Sequence, residues 1–157
     1  MSSEISTKWG EKAHKMTNQL RTDEGKLGEK ELLWSQKLHT IAYQRGEEVA
    51  KGIIPFGQSN FNNLMLQMRS LYSPKYDVTS LAEYPFKIQN AGYTEDYIED
   101  WKSSLKFDHM LDIKEGEFNE SAMSVYFVEG KNEIIFTQLF AWIEEATPDA
   151  WLWNLLA

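Results

Sequence analysis

The sequence predicts an α+β fold: a helical amino-terminal half packed on a small antiparallel β-meander, with a short carboxy-terminal helix closing the core. Three observations carry this. Apolar residues recur at helical spacing through residues 1–74, short β-branched and aromatic runs replace them beyond residue 106, and no cysteine is present to staple a smaller core. With 157 residues, 42% hydrophobic and 13% aromatic, the chain has the apolar surface to build one core unaided. A single domain over 1–157 is therefore expected, with a helical half (1–74) and a mixed, acidic half (75–157).

The first helix follows from Trp9, Ala13, Met16 and Leu20, spaced by four and three residues, starting near Ser6 and ending before Gly25. A second helix after Gly28 carries Trp34, Leu38, Ile41, Ala42, Arg45 and Val49 on one stripe and stops at Gly52, a length that suits a two-helix hairpin. Ser59 or Asn60 caps a third helix with Phe61, Leu64, Met65, Met68, Leu71 and Tyr72 in a near-heptad pattern, ended by Ser73-Pro74. Residues 75–93 break the pattern. Pro85 and the Asn90-Ala91-Gly92 turn leave room only for a helical turn around 79–83, so this stretch reads as a connector.

Thr94 caps a further helix with Tyr97, Ile98, Trp101 and Leu105 on one side. Residues 107–113, 122–129 and 133–140 follow as the three strands of the meander. The stretch 134–145 also fits a helical stripe through Ile135, Leu139, Trp142, Ile143 and Ala146, and the reading preferred is strand first, then irregular chain. Thr147-Pro148-Asp149 starts the last helix, with Thr as cap and Pro at its first position.

Charge is distributed unevenly. Residues 1–55 hold nine Lys/Arg against eight Asp/Glu, whereas residues 76–157 hold five against sixteen. A surface of that sign repels nucleic-acid phosphate and favours basic partners. The densest stretch is Thr94-Glu95-Asp96-Tyr97-Ile98-Glu99-Asp100, in which Glu95 with Glu99 and Asp96 with Asp100 are like-charged pairs at i,i+4. One reading is a row of carboxylates imitating nucleic-acid phosphates for a basic groove; the plainer one is a solvated helix face with acids near its positive end.

Other chemistry finds less support. Asp112-Ile113-Lys114 has the local form of the acid-x-lysine motif of restriction-type nucleases, in which the acid helps hold Mg²⁺ and the lysine assists the attacking water; Asp96 or Asp100 would be the upstream ligand. No basic track for DNA accompanies it. His14, His39 and His109 show no metal-ligand spacing and read as structural. Gly25-Lys26-Leu27-Gly28 lacks the residues of a phosphate-binding loop, and no Gly-x-Ser-x-Gly elbow is present. No catalytic residue, metal or cofactor is predicted.

Trp151 and Trp153 lie about 200° apart on a helix, so one of them faces solvent or a partner. The opening residues lack a secretory signal and no apolar run reaches bilayer length, so a cytoplasmic chain without membrane contact is expected, with Asn119-Glu120-Ser121 an idle glycosylation sequon. The function expected is a non-enzymatic protein-binding module, an inhibitor or accessory subunit docking on a basic, nucleic-acid-handling protein through Glu95, Asp96, Glu99 and Asp100, with no direct nucleic-acid contact. The alternatives are a Mg²⁺-dependent nuclease and a structural assembly subunit that forms a homo-oligomer through the C-terminal helix and its tryptophans.

Overall fold

Two 13-residue strands paired along their length organise the molecule, for which the computed structural model describes residues 3–24, 31–57, 61–89, 99–102 and 118–146. The three helices of the first half form as their apolar periodicity requires. Helix α1 spans Ser3–Glu24 and buries Trp9, Ala13 and Leu20. Helix α2, Gln36–Ala50, is capped by Ser35, whose hydroxyl accepts the Leu38 N–H, and buries Leu38, Ile41 and Ala42. Helix α3, Phe61–Tyr72, buries Leu64, Met68 and Tyr72. Met68 is a core residue, and Met65 packs against the same cluster.

Two expectations about the first half are corrected. Trp34 is not on the second helix but in a two-residue strand β1, Leu33–Trp34, because Ser35 is extended and starts the helix after it. The first two helices do not pair chiefly with each other as a hairpin: α1 packs mainly on β3, and α2 on β3 and β4.

The largest correction concerns the stretch taken for a connector. Residues Tyr76–Ile88 form a 13-residue strand, β2, rather than an irregular run with a helical turn. Strand β3 is Glu120–Val128 and strand β4 is Glu133–Glu145, so 134–145 is strand throughout. The four described strands run in the order β1-β3-β4-β2, with β1 parallel to β3 and the other pairings antiparallel. The sheet is therefore mixed, and only β3 and β4 are joined as in a meander. β2 is an edge strand among the described residues, which is how Pro85, paired opposite Thr137 and lacking an N–H, is accommodated. The predicted strand at 107–113 and the last helix lie outside the described residues.

β4 is the central strand and is buried without interruption from Ile134 to Ala141. Its alternate side chains feed two clusters. Ile134, Phe136 and Phe140 join Trp9, Leu20 and Trp101 on one face, while Leu139, Ala141 and Ile143 join Leu38, Leu64 and Met68 on the other. α1 shields the free side of β3. Ser6 Oγ accepts the outward N–H of Val125 at 2.8 Å, and Gly10 lies so close to β3 that an added Cβ would stand 1.9 Å from the Met123 carbonyl oxygen. Asn119 lengthens the β3–β4 ladder with its side chain, donating to the Ile143 carbonyl at 2.6 Å and accepting its N–H at 2.8 Å.

Candidate functional site

Of the acidic residues singled out by sequence, Glu99 and Asp100 are described. Both are exposed, on helical residues 99–102, and the next residue, Trp101, is completely buried in the cluster beneath α1. The core thus holds this short piece of helix by its tryptophan while the two carboxylates stay in water. Glu95, Asp96, Trp151 and Trp153 lie outside the described residues, as do His109, Asp112 and Lys114. Among the described residues, no group of three or more His, Asp or Glu side chains could hold a metal ion.

Sequence reasoning missed two serine–histidine pairs that the fold assembles where α1, α2 and β3 meet. Ser6 Oγ lies 3.0 Å from His39 Nε2, and Ser121 Oγ lies 2.7 Å from His14 Nδ1. The polarity of the first pair follows from its neighbours. The Trp34 indole donates to Gln36 Oε1 at 3.1 Å, which turns the Gln36 amide nitrogen toward His39 Nδ1 at 3.4 Å. That ring nitrogen accepts, so Nε2 carries the hydrogen and donates to Ser6.

Asn18 lies beside the second pair. It accepts the Leu32 N–H at 2.8 Å and donates to the Leu32 carbonyl at 3.0 Å, which aims its amide nitrogen at His14 Nε2, 3.4 Å away. His14 Nδ1 and the Ser121 hydroxyl share a hydrogen bond on the other side of the ring. In the first pair the imidazole is the donor and the serine oxygen the acceptor, the reverse of what a general base acting on a nucleophile requires. Ser6, Ser121 and His39 are also closed to solvent, at 0%, 0% and 1% exposure. The first pair ties α1 to α2, and the second ties α1 to β3.

Burial sets the charge state of the same residues. Desolvation lowers the His39 pKa to about 4, and lowers that of His14 against the opposing pull of the Leu32 carbonyl, Glu11 and Glu31. Trp34 packs between the two rings, with centroids 5.6 Å from each, and the stack continues from His39 to Tyr43 and Tyr126. At the start of α2, Ser35 Oγ lies 2.9 Å from the Tyr72 hydroxyl, and burial raises the pKa of that phenol.

A buried ion pair lies further along α2. Arg45 donates from Nε and Nη2 to the two carboxylate oxygens of Glu83 on β2, the second bond at 3.1 Å, and both residues are under 9% exposed. Burial pushes the Glu83 carboxyl up, and the hydrogen bonds and charge of Arg45 oppose that. Half of this pair was signalled in the sequence by an arginine on an otherwise apolar stripe. The other half was not, because nothing local marks Glu83 as buried.

No family model matches the chain, and no curated protein matches it by sequence. Among solved structures it is similar to an outer surface protein from Borrelia burgdorferi, with a TM-score of 0.65 over 92% of this chain and 97% of that one, at 12% identity. At that identity the likeness is one of fold.

Proposed function

We propose that the chain is a non-catalytic protein-binding module that docks an acidic surface on a basic partner, in the manner of an inhibitor or accessory subunit of a nucleic-acid-handling protein. The observation behind this reading is the seating of Glu99 and Asp100: exposed carboxylates next to a tryptophan that is 0% exposed. Charges held by a fixed backbone lose less freedom on docking than charges on a loose tail, so more of their attraction appears as affinity. The sixteen acidic residues beyond residue 75 supply the field that steers a basic partner toward them.

The test is affinity capture at low ionic strength, followed by mass spectrometry, with wild type compared against the fourfold Lys substitution of Glu95, Asp96, Glu99 and Asp100. Wild type is expected to capture basic proteins, to release them as salt shortens the Debye length to about 8 Å at physiological strength, and to lose them in the fourfold variant. Identical capture by both proteins would sink the proposal. A cytoplasmic setting is the reading from the cysteine-free composition; the fold neighbour is an outer surface protein, and fractionation of cells expressing the tagged chain decides between the two.

A further inference from the structure

Beyond the last turn of α2 lies a groove of opposite character. The helix ends in a Schellman motif: Gly52, at φ 73°, donates to the Val49 carbonyl at 3.1 Å, and Ile53 donates to the Glu48 carbonyl at 2.8 Å. An apolar side chain at the position of Ile53 usually folds back on the helix it ends. Here Ile53 is 66% exposed and Phe56, three residues on, is 41% exposed. With Ile54, Pro55 and the buried Ile135 of β4 they give an apolar lining to a groove of about 460 Å³, within the size range of ligand sites.

Three charged residues share that lining: Lys87, Lys131 and Glu133. Glu133 accepts a long hydrogen bond from the Gln89 amide, and the Lys87 ammonium lies 4.9 Å from the centre of the Phe56 ring. Among the described residues, neither lysine has a carboxylate within ion-pair distance. The chain holds 24 acidic residues against 16 basic ones, so a groove lined by two lysines and one acid beside exposed apolar surface runs against its general composition. A cation partly removed from water by an aromatic face gains most from an anion that arrives with its own apolar surface.

We infer that this groove docks a linear peptide segment carrying an aliphatic side chain next to a carboxylate, the aliphatic group on Ile54, Phe56 and Ile135 and the carboxylate on Lys87 and Lys131. A peptide fits better than an anionic membrane. A bilayer would meet the whole molecule's net charge of −8, whereas a short segment feels only charges within a Debye length of about 8 Å. The groove's lining includes neither Glu99 nor Asp100.

The experiment uses the full chain and a fluorescent, N-acetylated pentapeptide of alternating Leu and Glu, followed by anisotropy at low salt. Saturable binding is expected, at least tenfold weaker for Lys87→Glu with Lys131→Glu, for Ile54→Ser with Phe56→Ser, and for a probe of alternating Ser and Glu. Lys87→Gln with Lys131→Gln, milder for the fold, should weaken binding in the same direction, with circular dichroism confirming that every variant is folded. No saturable binding, equal affinity in folded variants, or preference for a Leu/Lys probe would overturn the inference. So would adsorption to phosphatidylserine vesicles that depends on these residues and exceeds peptide binding.

Discussion

His39 donates to Ser6 because Gln36 occupies its other nitrogen, and Gln36 is oriented in turn by the Trp34 indole. Such a ring is stable only while neutral, since protonation would set an N–H against the N–H of Gln36 and charge a buried group. The pH dependence follows. The folded pKa of about 4 lies below the unfolded value of 6.5, so between them the unfolded chain binds a proton that the folded chain refuses, and stability falls as pH drops through that window. The difference corresponds to roughly 3 kcal/mol. Urea unfolding at pH 7, 5.5 and 4 should therefore show wild type losing more stability than His39→Gln, which leaves carboxylate protonation common to both; parallel losses would refute the assignment. At this scale the sequence was partly legible. Isolated histidines without metal spacing read as structural, and His14 and His39 fit that reading, but their serine partners lie 107 and 33 residues away and no local signal could supply them.

Elements were legible where one period sufficed and obscure where two chains of reasoning had to meet. α1, α2 and α3 each bury a stripe, so helical spacing found them. β4 is buried on both faces, and an unbroken apolar run fits a helix as well as a strand. β2 was hidden by Pro85 and the Asn90-Ala91-Gly92 sequence, and Pro85 argues against a strand until its edge position is known. β1, at two residues, is shorter than any pattern can report. Gly10 illustrates how an element's packing inverts a local rule. Alanine within a helix normally gains about 1 kcal/mol over glycine. Because a Cβ here meets the Met123 backbone, Gly10→Ala should instead lower unfolding stability by about 2 kcal/mol. A neutral or stabilising result in chemical denaturation would show that α1 is free to move away from β3.

Across the whole molecule, the helical and acidic halves are joined by polar bonds as well as by apolar contact: Ser6 to Val125, His14 to Ser121, Gln138 to Thr17 and Arg45 to Glu83. The last of these is under the greatest electrostatic constraint. Glu83→Leu or Arg45→Met alone should cost about 3–5 kcal/mol by removing one partner of a buried ion pair, while the double substitution should recover most of that loss. A double-mutant cycle in urea measures this, and additive effects would mean the pair is not coupled. Glu99 and Asp100 were legible in the sequence as part of its densest acidic stretch, but the burial of Trp101 beside them is a property of the folded core. One consequence of the covered side of β3 concerns association rather than stability. The outward N–H of Val125 and carbonyl of Met123 are pairing groups that a neighbouring chain's strand could take up. The amino-terminal helix therefore stands between this strand and aggregation, and a chain that lost it to proteolysis would expose a ready template for cross-chain β-pairing.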